Sequence, residues 1–86
     1  MGMESVELVL AWEEDFDISI PDEAAATFDT PRDVGDYIER ILISEGRALP
    51  REEVDRIIKV VVIEMLALPE SIYGLDVKFV EEMGVD

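Results

Sequence analysis

Apolar residues recur at helical spacing in three stretches of this chain, and that periodicity limits the fold more than any other feature. The stretches are residues 5–16, 31–44 and 50–66. Each can bury one apolar face against a neighbour. A run of β-branched residues at 60–63 is also compatible with a strand, but helical periodicity continues on both sides of it. The pattern therefore predicts an all-α protein built as a small helical bundle.

Proline and capping residues mark the predicted ends of these helices. Thr30 directly precedes Pro31, a pairing typical of a helix N-cap and the first helical position. That helix is predicted to run to about Ser44. Pro50 is predicted to open the last long helix and Pro69 to end it, because proline suits a first helical turn and cannot continue a helix.

Two short elements complete the predicted architecture. Asp22 can cap a short helix over residues 22–27, and residues 79–83 can form one more turn after a long ordered loop. A chain of 86 residues is long enough for one small domain with its own core. We therefore expect a single domain, a four-helix bundle with three long helices and one short helix.

The chain contains no cysteine and no histidine. It therefore has no disulfide framework, no thiolate metal site, and neither the usual general base nor the commonest transition-metal ligand. Asp15, Asp17 and Asp22 could bind Ca²⁺ or Mg²⁺ weakly, but their spacing matches no EF-hand loop. A hydrolase or a metalloenzyme is thus a poor interpretation, and we predict no catalytic residues and no specific metal site.

Acidic residues outnumber basic ones by 22 to 7, which gives a net charge of −15, and the first basic residue is Arg32. Such a surface repels nucleic acid and attracts basic protein partners, although solubility alone is a plain alternative explanation. No apolar run approaches the roughly 18 residues of a membrane helix, and no signal peptide is visible. We expect a cytoplasmic protein with no membrane and no nucleic-acid partner.

Two stretches resemble a known family. Residues 6–23, V-E-L-V-L-A-W-E-E-D-F-D-I-S-I-P-D-E, resemble the second helix and following loop of acyl carrier proteins, and residues 30–38, T-P-R-D-V-G-D-Y-I, resemble that family's last helix. Glu-Glu-x-Phe followed closely by Ile-Pro-Asp-Glu is a specific combination. The resemblance implies a four-helix carrier domain without catalytic activity of its own.

The rest of the chain resembles the same family in a different order. Residues 50–72 are similar to the family's first helix and residues 75–86 to the loop after it. In the family that loop leads directly into a modified serine, whereas here the matching stretch stops at Asp86 and the matching serine is Ser5. The resemblance implies a domain circularly permuted at its functional loop, although a processed piece of a tandem array would read the same way. The implied parts are residues 1–45 as family helices two to four, 46–49 as a linker, and 50–86 as the first helix and its loop.

A permuted chain can close its functional loop in two ways. Its last segment can fold back within its own chain, or it can dock on a second copy to form a domain-swapped homodimer. The short link at residues 46–49 is compatible with the exchanged arrangement. Both arrangements stay open at this point.

Family members carry 4′-phosphopantetheine on the serine of an Asp-Ser-Leu motif, and the arm ends in a thiol that holds an acyl group as a thioester. Glu4, Ser5 and Val6 fit that motif conservatively. The resemblance therefore implies Ser5 as the attachment site, with Glu4 and Asp86 as the acidic residue before it. The alternative is that Ser5 is an ordinary N-cap, whose side chain satisfies a free backbone N–H.

The spacing leaves two alignments open. Aligning Ser5 with the modified serine leaves the helix about three residues short, close to one helical turn. An ungapped alignment instead puts Gly2 at the serine position, where no arm can be attached. Ser19, Ser44 and Ser71 are poorer candidates because none begins an acidic amphipathic helix.

The resemblance also implies partner contacts at Glu7, Glu13 and Glu14, which would face basic surfaces of a phosphopantetheinyl transferase and of acyl-processing enzymes. Trp12 is expected either in the core or in the wall of an acyl cavity, because its family counterpart is usually aliphatic. The function implied is to carry an acyl thioester for fatty-acid, lipid or polyketide-type synthesis. The alternative is an unmodified acidic interaction module that keeps the fold without the arm.

Overall fold

The computed structural model describes residues 3–86. Its helices are α1 (Met3–Phe16), α2 (Asp22–Ala25), α3 (Pro31–Ser44) and α4 (Arg51–Leu66). Within residues 3–86 there is no strand, so the all-α prediction of three long helices and one short helix is confirmed. In the same part of the chain, no helix is long and apolar enough to cross a membrane.

The start of α3 is fixed by a reciprocal pair of hydrogen bonds. The backbone N–H of Asp33 donates to the hydroxyl oxygen of Thr30, and the backbone N–H of Thr30 donates to the carboxylate of Asp33 at 3.1 Å. Pro31 occupies the first helical position. The predicted N-cap is therefore confirmed, and the two bonds satisfy donors that a helix start otherwise leaves free.

All three long helices end with one residue in the left-handed backbone region. In each case the next residue donates its N–H to the carbonyl five positions back, which turns the chain sharply away from the helix axis. This turn ends α4 at Leu66, three residues before the predicted end at Pro69. The left-handed residues are Asp17 (φ 54), Gly46 (φ 72) and Ala67 (φ 52).

Replacing Ala67 by glycine is expected to raise the free energy of unfolding by about 1 kcal/mol. A Cβ atom is strained in the left-handed region that Ala67 occupies, and glycine removes that strain. Urea denaturation followed by helical circular dichroism measures the change. The control is Ala48→Gly, an exposed position outside that region, where glycine should lower stability by a few tenths of a kcal/mol. Equal effects at both positions would contradict the prediction.

Helix α4 is the central element, because it packs against both α1 and α3. The connector between α1 and α2 is pinned to the core by Ile18 and Ile20, as expected from their alternation with an exposed serine. The helical core side chains are Leu8, Trp12 and Phe16 of α1, Ala25 of α2, Val34, Ile38 and Leu42 of α3, and Val54, Ile58, Val61 and Val62 of α4.

Arg51 links α3 to α4 through three carboxylates. Its guanidinium lies 2.9 Å from Asp36, 3.2 Å from Glu39 and 2.9 Å from Asp55. Gly35 allows this approach, since a Cβ atom there would lie 2.6 Å from the Arg51 Nη2 atom. The cluster therefore fixes the start of α4 against the middle of α3.

Residues 67–86, here called the closing segment, fold back over α1 and the α2–α3 connector of the same chain. Phe79, Met83 and Val85 are buried. The N–H of Phe79 donates to the carbonyl of Asp29 at 2.9 Å. The expected turn at 79–83 is present, because the N–H groups of Glu82 and Met83 both donate to one carbonyl at 3.0 Å. Exchange of this segment between two chains stays a prediction.

Candidate functional site

Ser5 lies in the first turn of α1, half-buried, and its hydroxyl donates a hydrogen bond to the carbonyl oxygen of Asp86 at 2.7 Å. The N–H of Ser5 lies 3.3 Å from the same oxygen. A carboxylate oxygen of Glu4 accepts from the N–H of Asp86 at 3.1 Å. The structure therefore brings together Glu4, Ser5 and Asp86, three residues that sequence reasoning assigned to one site.

The N-cap interpretation of Ser5 is wrong. Helix α1 already includes Met3, so Ser5 lies inside the helix, and its hydroxyl donates to Asp86 instead of accepting from a helix N–H. An N-cap side chain does the opposite, because it accepts from a backbone N–H two or three residues later.

An apolar cavity of about 180 Å³ opens beside Ser5. Helix α1 forms one wall, the region of α2 and its following connector another, and the closing segment the third. Apart from Ser5 and Asp29, the lining is apolar or aromatic, with the remaining members Leu8, Val9, Trp12, Ala25, Ala26, Phe28, Phe79, Val80 and Val85.

Trp12 belongs both to the core and to the cavity wall, so the two expectations for it are compatible. It is 2% exposed. Its ring centroid lies 6.4 Å from that of Phe28, edge to face, and 6.0 Å from that of Phe79. Its indole N–H is buried and has no hydrogen-bond partner. The indole therefore contributes packing at the base of the site without satisfying its own donor.

Comparison with known proteins finds similar relatives, among them two acyl carrier proteins. The acyl carrier protein of Akkermansia muciniphila is 49% identical over 40 residues, 46% of this chain and 50% of that protein. The acyl carrier protein of Bdellovibrio bacteriovorus is 50% identical over 39 residues, 45% of this chain and 50% of that protein. Over these residues this chain is similar to the acyl carrier proteins. It spans about half the length of these relatives, and no family model and no solved structure matches it.

The relationship to acyl carrier proteins confirms the family resemblance, and the four helices agree with the carrier-like bundle. The permuted order and the three-part division of the chain stay predictions. Gly2, which the ungapped alignment places at the serine position, lies outside the described residues. The choice between the two alignments therefore also stays open.

The acidic residues predicted as partner contacts differ in their surroundings. Glu7 and Glu14 are exposed on α1. Glu13 is half-buried, and its carboxylate accepts from the N–H of Ile20 at 2.7 Å. Glu13 therefore also holds the connector that follows α1. Val6, the remaining predicted site residue, is exposed one turn before the exposed Leu10.

The other serines considered as attachment sites do not line the cavity. Ser44 donates its hydroxyl to the carbonyl of Ile41, while Ser19 and Ser71 are exposed outside the helices. In residues 3–86 no group of three or more acidic side chains could hold a metal ion.

Two titratable groups with perturbed pKa values lie in or beside the closing segment and outside the cavity lining. Burial raises the pKa of Tyr73, and a hydrogen bond from Arg32 holds the pKa of Asp76 below its usual range.

Most residues of the cavity wall were not predicted from the sequence, which indicated only Trp12 as a wall residue. Phe79, Val80 and Val85 lie in a stretch without helical periodicity, so no pattern indicates what they pack against. The one sequence feature that could have indicated their packing is the high number of apolar residues in a predicted loop. Such a number is unusual unless the loop is anchored to a core.

Proposed function

We propose that this chain is a carrier domain that holds an acyl group as a thioester on a 4′-phosphopantetheine arm attached to Ser5. The observation that carries the proposal is the position of the Ser5 hydroxyl at the rim of an apolar cavity, beside Glu4 and Asp86. The relationship to acyl carrier proteins supports a carrier role. The domain performs no catalysis of its own and serves fatty-acid, lipid or polyketide-type synthesis.

Ser5 is well placed to carry the phosphodiester that would join the arm to the protein. Ser5 lies in the first turn of α1, a 14-residue helix whose first-turn backbone N–H groups carry a partial positive charge. A phosphate attached there is stabilised by those donors. The cavity next to Ser5 then offers an apolar surface to the group that the arm carries.

Attachment of the arm changes one contact in a defined way. When the arm is transferred from coenzyme A, the Ser5 oxygen bonds to phosphorus as the pyrophosphate P–O bond breaks, adenosine 3′,5′-bisphosphate leaves, and the hydroxyl proton passes to a base of the transferase or to solvent. The Ser5 oxygen can then no longer donate to the Asp86 carbonyl. The last residues of the closing segment must therefore shift when Ser5 is modified. This coupling is consistent with the permuted order, in which Asp86 takes the place of the residue before the serine.

The partners in this proposal are a phosphopantetheinyl transferase and acyl-processing enzymes with basic surfaces, met in the cytoplasm. Glu7 and Glu14 are exposed on the same helix as Ser5, and Glu13 contributes its charge between them. With a net charge of −15 the domain attracts such enzymes over several ångströms. A domain-swapped homodimer would use the same contacts, with the closing segment of one chain docked on α1 of its partner.

A second function is favoured by a different observation. The Ser5 hydroxyl is half-buried and already hydrogen-bonded to Asp86. A chain in which that bond persists, or in which Gly2 occupies the serine position, is an unmodified acidic interaction module with the carrier fold.

Intact mass after incubation with coenzyme A and a broad-specificity phosphopantetheinyl transferase tests the carrier proposal. We expect the unaltered chain to gain one phosphopantetheine and Ser5→Ala to gain none. The matched control is Ser19→Ala, an exposed serine outside the helices, which should be modified like the unaltered chain. Circular dichroism shows whether each variant keeps its helices.

Two results would contradict the carrier proposal. No gain in a well-folded chain favours the interaction module. A gain that persists in Ser5→Ala assigns the arm to another serine.

A further inference from the structure

Residues 84–86, here called the latch, are the part of the closing segment that contacts Ser5. The carbonyl oxygen of Asp86 accepts from the Ser5 hydroxyl at 2.7 Å and lies 3.3 Å from the Ser5 N–H. The N–H of Asp86 donates to the carboxylate of Glu4 at 3.1 Å. Both backbone groups of Asp86 are therefore held by the first turn of α1, and one of the two bonds has a charged acceptor.

The latch also has an apolar anchor and a hinge. Val85 is 4% exposed and lines the cavity beside Ser5, and its N–H donates to the carbonyl of Phe79 at 2.8 Å. Gly84 turns the chain inward with φ 74, in the left-handed region that glycine adopts without strain. Within residues 3–86, no atom beyond the adjacent residues lies within 4 Å of a Cβ built at Gly84. The backbone conformation, and not a close contact, therefore requires glycine at the hinge.

A closed latch opposes attachment of the arm. To attack phosphorus, the Ser5 oxygen must release its proton to a base, and a backbone carbonyl oxygen is too weak a base to take it. Ser5 is also half-buried while the latch is closed. A transferase therefore acts on the open state, and its rate falls with the fraction of chains in that state.

We infer that the latch is an autoinhibitory contact that limits attachment of the arm to Ser5, and that Glu4 is the positioning residue that holds it closed. The inference rests on the proposed function for the reaction that the latch limits. Glu4 acts through Asp86, to which its half-buried carboxylate is already bonded. Phe79 and Met83 anchor the rest of the closing segment separately, so the latch can open in an otherwise folded chain.

Amide exchange with water, followed by NMR, measures the latch in the unmodified chain. The N–H of Asp86 exchanges when its bond to Glu4 opens. We expect Glu4→Ala to speed that exchange about threefold to tenfold, and Glu4→Gln to speed it less, because glutamine keeps an uncharged acceptor. The N–H of Phe79, bonded to Asp29, is the internal reference and should be unaffected.

Glu7→Ala is the matched control for Glu4→Ala. It removes the same charge from the same helix at an exposed position three residues further on. We expect it to leave the exchange of the Asp86 N–H unchanged, since the protecting bond is made by Glu4.

Gly84→Ala opens the latch without removing a charge. A Cβ atom is strained in the left-handed region, so the variant weakens the closed state at the hinge. We expect kcat/KM for attachment of the arm from coenzyme A to rise about threefold to tenfold. Gly46→Ala is the matched control, because it places a similar strain at the end of α3, with φ 72, and should leave kcat/KM unchanged.

Three results would overturn the inference. The first is equal exchange of the Asp86 N–H in Glu4→Ala and Glu7→Ala. The second is an unaltered chain that accepts the arm while Gly84→Ala accepts it no faster than Gly46→Ala, and this result leaves the carrier function intact. The third is failure of both the unaltered chain and Gly84→Ala to accept the arm, which contradicts the carrier function as well.

Discussion

Replacing Phe79 by alanine is expected to lower the free energy of unfolding by about 3 to 5 kcal/mol, the range for truncating a buried aromatic side chain. Phe79 is 5% exposed and its ring packs against Trp12. It is the aromatic anchor of the closing segment, so its loss weakens the attachment of that segment to α1. Guanidinium denaturation followed by the fluorescence of Trp12, the single tryptophan, measures the change.

The neighbouring residue provides the control for Phe79→Ala. Val80 lines the outer part of the same cavity but is 68% exposed. Val80→Ala should therefore change stability by less than about 0.5 kcal/mol. Limited proteolysis should cut the closing segment faster in Phe79→Ala only. Similar losses of stability in the two variants would show that the segment is not anchored through Phe79.

Replacing Arg51 by methionine is expected to lower the free energy of unfolding by about 2 kcal/mol. The substitution keeps much of the side-chain length but leaves Asp36, Glu39 and Asp55 close together without their shared cation. Arg51 is 26% exposed, so the expected loss lies between that for a surface ion pair and that for a fully buried pair.

Urea denaturation at low and at moderate ionic strength measures the effect of Arg51→Met, because urea itself adds no charge. We expect salt to recover part of the loss by screening the three carboxylates. Arg56→Met is the control, since the Arg56–Glu53 pair is exposed and its loss should change stability little. A loss in Arg51→Met no larger than in Arg56→Met would mean that the cluster does not hold α3 to α4.

Periodicity was sufficient to place the long helices, because it depends on residues that are close in sequence, whereas the predicted cap Asp22 is wrong: Pro21 is the N-cap of α2, and no side chain caps it. The start of α3 at Thr30 and Pro31 is a local hydrogen-bonding pattern and was predicted correctly. The end of α4 was not, because alanine rarely adopts the left-handed backbone that Ala67 has in the structure. Because alanine does not indicate such a turn, Pro69 was the nearby residue that predicted the end of α4.

The candidate site could be predicted only in part. Residues near Ser5 were found through the family resemblance, and Asp86 through the resemblance of residues 75–86 to the loop that precedes the family's modified serine. The hydrogen bond from Ile20 to Glu13 and the free indole N–H depend on how separate elements pack. Sequence spacing does not encode such contacts, so the second role of Glu13 and the unpartnered donor of Trp12 came from the structure.

The hydrogen bond between Ser5 and Asp86 joins residues 81 positions apart, whereas α3 and α4 follow one another directly along the chain. Contacts between distant residues require more loop-closure entropy and form more slowly than contacts between neighbours. We therefore expect α3 and α4 to pair early in folding and the surroundings of Ser5 to close last. A transferase that recognises those surroundings would modify fully folded chains and leave partly folded chains unmodified.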